Sequence, residues 1–87
     1  MFSTPTSITL ANANTALQAG LAAIASGMTR FDFAPLVVVD SAAVATMLAW
    51  QRAARAKNLN LEFANLPSNL QSLMQMYGVT ELLPSAA

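Results

Sequence analysis

Three segments of the chain place apolar residues at the spacing of an α-helix. They run over roughly residues 14–26, from Asp40 to about Lys57, and from Pro67 to a stop signal at Gly78. In each segment the apolar side chains share one helical face; they are Leu17, Leu21 and Ile24, then Val44, Met47, Leu48 and Ala54, then Leu66, Leu70, Leu73 and Tyr77. The pattern therefore predicts three amphipathic helices.

The stretches between these helices have the pattern of short strands. Residues 29–33 and 59–63 alternate apolar and polar side chains, and Val37–Val39 is predicted to be a short buried run. Strands that alternate with helices in this way predict an α/β fold, a small mixed or parallel sheet with three helices packed on it. The tail from Glu81 to Pro84 is expected to fold back onto the core. The expected core contains most of Phe31, Phe33, Val37, Val39, Leu48, Leu61, Phe63, Leu70 and Leu73.

The amino-acid composition excludes several classes of function for this chain. The 87 residues are expected to form a single domain spanning residues 1–87, because the chain has no room for a second core. Hydrophobic residues make up 55% and charged residues 9%, with a formal net charge of zero, which argues against a disordered chain and against a nucleic-acid partner. So few charges cannot cover the whole surface. Part of the surface is therefore expected to meet another protein.

The residue types that most enzymes need are scarce in this sequence. Cysteine and histidine are absent, so disulfides, thiolate nucleophiles and the common zinc sites are excluded. The carboxylates Asp32 and Glu62 are expected to lie on a solvated strand face, and the three glycines form no phosphate-binding loop. We therefore predict no enzymatic activity, no cofactor and no metal. The first ten residues lack the pattern of a signal peptide, and the apolar window 34–50 carries Asp40, so the protein is predicted to be cytoplasmic without membrane insertion.

Asp40 and Ser41 form a polar pair between two apolar runs. One interpretation is structural: either side chain could cap the second helix. The other is functional, because a hydroxyl at a helix N-terminus is well placed for phosphorylation, which the helix dipole would favour. The two interpretations are compatible, and both stay open.

A strip of small residues on the second helix is the other candidate site. It lies away from the side of Val44 and Leu48, which is expected to face the sheet, and it carries no charge. Trp50 borders it, either as part of the core or as an anchor for a partner. The predicted partner-binding residues are Ser41, Ala42, Ala45, Thr46, Ala49, Trp50 and Ala53.

Two regions of the sequence resemble STAS domains. The first is VVVDSAAVA at 37–45 followed by MLAWQRAAR at 47–55; the second is LEFANLPSNLQSL at 61–73 followed by YGVTELLP at 77–84. The resemblance extends from about Ile8 to Pro84 and is greatest to the short STAS subunits of bacterial Mla phospholipid transporters. STAS domains usually begin with a β-hairpin, and the short N-terminal segment here implies that one of its strands is missing or vestigial.

The resemblance implies a function without catalysis. The transporter subunits bind the ATPase subunit (MlaF-like) of an inner-membrane ABC transporter, in a complex with permease and substrate-binding subunits. That system maintains lipid asymmetry in Gram-negative bacteria, and the residue at the place of Ser41 lies at the ATPase contact. Other STAS proteins are anti-sigma-factor antagonists in which the Ser of an Asp-Ser-X-Gly motif is phosphorylated. Asp40 and Ser41 match that motif, but its fourth position is Ala43.

Overall fold

In the computed structural model, which describes residues 1–83, three helices pack with small parallel sheets, as the strand and helix pattern predicts. The strands are β1 (Phe2–Ser3), β2 (Ser7–Ile8), β3 (Arg30–Asp32), β4 (Val38–Val39) and β5 (Glu62–Ala64), and the helices are α1 (Ala13–Ala25), α2 (Ser41–Ala56) and α3 (Ser68–Met76). Among these residues, no helix is both long enough and apolar enough to cross a membrane.

The strands form two parallel ladders. β1, β3 and β5 make a three-stranded sheet in the order β1-β3-β5, and β2 pairs with β4. Phe31 is the middle residue of β3 and pairs with Phe2 on one side and with Phe63 on the other. The N-terminal strands are short, as predicted, although neither is missing: β1 and β2 have two residues each, and they join different ladders instead of pairing as a hairpin.

Glycine and proline set three of the helix boundaries. Gly27 and Gly78 follow α1 and α3 with φ angles of +89° and +67°, a backbone conformation that glycine adopts without strain. The sequence predicts Pro67 in the first turn of α3, but the residue is the N-cap and has an extended backbone. α3 therefore begins at Ser68.

An aromatic cluster around Trp50 forms the centre of the core. Trp50, Phe31, Phe33 and Phe63 are completely buried. The Trp50 ring centroid lies 5.1 Å from that of Phe31 and 6.2 Å from that of Phe33, in edge-on geometry. Phe2 of β1 closes the cluster at 5.8 Å from Trp50. Side chains from the sheet, from α2 and from the N-terminal strand therefore meet at one point.

The predicted core is right in its aromatic part and wrong at the first two residues of the valine run. Val37 is 67% exposed and Val38 54% exposed, whereas Val39 is half-buried against the core. Within residues 1–83, β4 pairs with β2 alone, and the Val37 and Val38 side chains face solvent. The remaining predicted core residues are buried (Leu61 and Leu70) or half-buried against the core (Leu48 and Leu73).

The C-terminal part of the described chain folds back as expected. Leu83 is completely buried, although its neighbour Leu82 is 52% exposed. Met74 of α3 is also buried, whereas Tyr77, predicted on the apolar face of this helix, is 52% exposed. The predicted role of Pro84 lies outside the described residues.

Charged side chains line the outer surface of the sheet. The Arg30 guanidinium donates to the Glu62 carboxylate across β3 and β5 at 2.9 Å, and both side chains are more than half exposed. Asp32 accepts a hydrogen bond from the Asn65 side chain at 2.9 Å and another from the Ala34 amide at 3.0 Å. Asp32 and Glu62 thus lie at the surface, and their contacts are with neighbouring strands and turns.

Candidate partner surface on helix α2

The N-terminus of α2 is fixed by the carboxylate of Asp40. One oxygen, Oδ1, accepts the Ala42 amide at 2.8 Å, and the other, Oδ2, accepts the Leu10 amide at 3.0 Å. Asp40 is thus the N-cap, and it also ties the loop after β2 to the start of the helix. Ser41, the next residue, is exposed. The structural interpretation of the Asp-Ser pair therefore applies to Asp40, and the Ser41 side chain lies on the surface.

One row of side chains follows the outer face of α2. Ser41, Ala45, Leu48 and Arg52 lie at i, i+4, i+7 and i+11, which places them on one side of the helix. Leu48 is half-buried and the other three are exposed. No charged residue occurs between Asp40 and Arg52. This part of the face can therefore lose its contact with water without desolvating a charge.

Two grooves flank this row. The groove between α1 and α2 has a volume of about 280 Å³, and the groove between α2 and the C-terminal end of α3 has a volume of about 390 Å³. The first is lined by Ala13, Asn14, Leu17, Ala42, Ala45, Thr46 and Ala49. The second is lined by Ser41, Val44, Ala45, Leu48, Tyr77 and Val79. Ala45 borders both, so the two grooves form one continuous surface.

The predicted anchor, Trp50, does not belong to this surface. Its side chain is completely buried, and its indole N–H donates to the Leu17 carbonyl of α1 at 3.1 Å. Gly20 makes this possible, because a Cβ at that position would overlap the indole ring. The prediction that Trp50 is available to a partner is therefore wrong, and the alternative, a core role, is correct.

Thr46 also differs from the prediction. It is only 5% exposed, and its hydroxyl donates to the Ala42 carbonyl one turn earlier at 2.8 Å. Thr46 lines the α1–α2 groove, and its hydroxyl has its hydrogen-bond partner within α2 itself. Of the other predicted contact residues, Ser41 and Ala45 are exposed, and Ala42, Ala49 and Ala53 are half-buried on the side of α2 that is nearer α1.

The sequence interpretation missed the α3 side of the surface. The sequence predicts Leu48 against the sheet and Tyr77 on the apolar face of α3, yet both line the larger groove together with Val79. The helical row from Ser41 to Leu48 was a usable signal, because it is visible in the sequence. The approach of Tyr77 and Val79 depends on how α3 packs, and no local pattern encodes that packing.

The side chains that line the candidate surface are mostly apolar. Within residues 1–83, no group of three or more acidic, His or Cys side chains could hold a metal ion. The candidate surface is built from aliphatic, alanine and hydroxyl side chains, with arginine at one end. This chemistry is suited to packing against another macromolecule.

Comparison with known families agrees with this architecture. The family model described as Mlab, STAS domain, matches residues 5–84. The chain belongs to this STAS family. No curated protein and no solved structure matched it. In this STAS domain, Asp40 and Ser41 begin the central helix, and Ala43, at the position where the phosphorylation motif has glycine, is completely buried against the core.

Proposed function

We propose that this STAS domain is a non-enzymatic accessory subunit that binds the ATPase of an Mla-type phospholipid ABC transporter. In this proposal it supports assembly and activity of the transporter, and so contributes to the lipid asymmetry of the outer membrane of a Gram-negative bacterium. It is cytoplasmic and reaches the inner membrane only through its partner. The observation that carries the proposal is the match to the Mlab STAS family over residues 5–84.

The outer face of α2 is the proposed contact with the ATPase. Ala45 supports this, because it is exposed, lies between two apolar grooves and has a side chain small enough for a partner to approach the helix backbone. Ser41 begins the same row and is exposed. Charged groups are depleted at the centres of protein interfaces, and this part of the face has none.

Two glutamate substitutions test this contact. Ala45→Glu places a carboxylate at the centre of the surface, and Ala49→Glu places one on the α1 side. Each should weaken binding of the co-expressed ATPase by roughly 30-fold or more, since an unpaired carboxylate buried at the interface costs at least about 2 kcal/mol. Ser41→Asp should weaken it as well. Pull-down yield and Kd are the measurements.

The control is Ala22→Glu, which changes an exposed alanine of α1 outside both grooves. It should leave ATPase binding unchanged. The melting temperature of every isolated variant is measured in parallel. If Ala49→Glu unfolds the isolated domain, Ala49 belongs to the core. If the Ala45 and Ala49 variants both fold and bind the ATPase normally, the partner uses another face.

A second candidate function is an anti-sigma-factor antagonist controlled by phosphorylation of Ser41. The observation that favours it is the exposure of Ser41 directly after the N-cap Asp40. Affinity capture from the native cells separates the two candidates. Recovery of an anti-sigma serine kinase without a transporter ATPase would favour the second, and recovery of the ATPase would favour the first.

A further inference from the structure

The basic residues of this chain are unevenly placed. Arg30 is paired with Glu62 on the sheet. The other three, Arg52, Arg55 and Lys57, lie in the last two turns of α2 or at its C-cap. Within residues 1–83, none of these three is within ion-pair distance of a carboxylate. One end of the α2 face therefore carries positive charge that the described part of the chain does not neutralise.

Two of these basic side chains lie beside the apolar groove. Arg52 and Arg55 line a pocket of about 200 Å³ together with Leu48, Gln51 and Leu82. Leu48 also lines the α2–α3 groove, so the pocket and the groove are continuous. The Gln51 side-chain oxygen is buried there without a hydrogen-bond donor in the described structure. The combined groove is apolar along most of its length and cationic at one end.

We propose that this combined groove takes an apolar segment of a partner protein, and that an Asp or Glu side chain of that segment pairs with Arg52 and Arg55. The inference rests on the proposed function, in which the partner is the transporter ATPase. A guanidinium pair offers several N–H donors in a planar arrangement that matches a carboxylate. Leu48 and Leu82 line the same pocket, so a partner seated there would exclude water from part of the pair and reduce its screening by solvent.

The position of Arg52 sets the spacing that the partner must have. Arg52 is one helical turn beyond Leu48, a displacement of about 6 Å along α2. An apolar side chain that fills the groove beside Leu48 and Tyr77 must therefore have its acidic neighbour about one turn away. In a helical partner segment this corresponds to residues at i and i+3 or i+4.

A protein segment fits this groove better than an anionic membrane does. Lipid-binding surfaces concentrate about four to eight basic residues, whereas two arginines face this groove on a chain of zero net charge. The space between α2 and α3 is also apolar and open to solvent, with a volume of about 390 Å³, which leaves room for apolar side chains of a partner. We therefore expect the domain not to bind vesicles of anionic lipid, and the experiment below includes this test.

Charge reversal tests the pairing. Arg52→Glu and Arg55→Glu should each weaken the Kd for the purified ATPase by roughly tenfold or more, as loss of a close interfacial charge pair does. Lys57→Glu is the matched control, because it makes the same charge change at the end of the same helix without lining the pocket. It should change the Kd less than about threefold. Melting temperatures verify that all variants are folded.

A rescue experiment identifies the partner group. Acidic residues of the ATPase are changed to Lys one at a time and combined with Arg52→Glu. The proposal is supported if one such Lys substitution restores binding of the Arg52→Glu variant and does not strengthen binding of the unmodified domain. Equal effects of all three reversals, or no effect of any of them, overturn the pairing while leaving the ATPase contact intact.

The remaining outcomes separate this inference from the proposed function. If the unmodified domain forms no complex with the ATPase, the proposed function fails and this inference fails with it. Sedimentation with vesicles rich in anionic phospholipid tests whether the domain binds a membrane directly. Vesicle binding that is lost in Arg52→Glu, with ATPase binding unchanged, would overturn the protein-segment proposal in favour of a lipid surface.

Discussion

At the scale of single residues, the contact between Gly20 and Trp50 explains how so small a domain buries an indole. Gly20 is buried in α1, where the lack of a side chain lets the ring lie against the helix backbone. The indole N–H then reaches the Leu17 carbonyl, so the buried polar group is satisfied. The helix gives up the better propensity of alanine at this position, and the packing of α1 on α2 benefits.

Gly20→Ala should therefore destabilise the domain despite the helix propensity of alanine. Propensity alone favours the variant by about 1 kcal/mol. The new methyl group would overlap the rigid, fully buried indole, and such overpacking costs about 1–3 kcal/mol, so a net loss is expected. Urea denaturation measures it. In a double-mutant cycle with Trp50→Phe, the combined loss should be smaller than the sum of the single losses. Additive losses would show that the overlap is not with the indole.

At the scale of the elements, the junction before α2 connects three parts of the molecule. The Asp40 carboxylate caps α2 with one oxygen and holds the loop after β2 with the other. The Asn12 side chain stabilises the same loop: it accepts a hydrogen bond from the Thr9 amide and donates one to the Ser7 carbonyl. The start of the proposed partner surface is therefore anchored on both sides.

Asp40 variants should separate its two hydrogen bonds. Asp40→Ala removes both hydrogen bonds. It should lower the free energy of unfolding by about 1–2 kcal/mol, the usual value for loss of a cap, and by a further amount for the lost hydrogen bond to Leu10. Asp40→Ser keeps an N-cap oxygen that lacks the reach to the Leu10 amide, so its loss should be intermediate. Hydrogen exchange is the second measurement: Asp40→Ser should speed exchange at Leu10 and leave Ala42 protected. Equal exchange at both amides would contradict this division of roles.

The same element shows how far the sequence predicts the site. Helical spacing predicts α2 and its alanine side, because period and residue size are local properties. It does not predict the burial of Trp50, because that depends on the glycine of α1 that faces the indole. It does not predict the position of Thr46 in the α1–α2 groove either, because that depends on how the two helices pack. Val37 is exposed for a different reason: a run of three valines indicates a buried strand only where other elements cover both faces of the sheet.

At the scale of the whole molecule, the fold follows from alternation and the core from aromatic placement. The strand–helix order predicted the α/β class, and Phe31, Phe33 and Phe63 were correctly placed in the core because they alternate with polar residues on their strands. The division into two ladders could not be predicted, because it depends on which partner each two-residue N-terminal strand finds. Trp50 contacts the aromatic rings of Phe2 in β1 and Phe31 in β3 and the backbone of α1, so its environment is sensitive to changes in several parts of the core.

Acid unfolding of the whole molecule should depend on Asp32, which connects the end of β3 to the turn after β5. The Asn65 side chain, and then the Ala34 amide, donate to this carboxylate and hold its pKa below the ordinary value of 3.8. The ionised form is thus favoured in the folded state. Its contribution to stability is present above the unfolded pKa, and it is lost as the pH falls below about 4 through the folded pKa.

Asp32→Asn should therefore flatten the fall in stability below about pH 4, when urea unfolding is monitored through Trp50, the single tryptophan of the chain. Asn65→Gly provides the matched variant. Asn65 has a φ angle of +58°, which glycine adopts without strain, so the turn is kept while the principal donor to Asp32 is removed. It should raise the pKa of Asp32 toward 3.8, measured by NMR titration of the carboxyl carbon, and flatten the same part of the curve. If the Asp32→Asn and unmodified domains lose stability equally below pH 4, other carboxylates control acid unfolding and the Asn65 contact contributes nothing measurable.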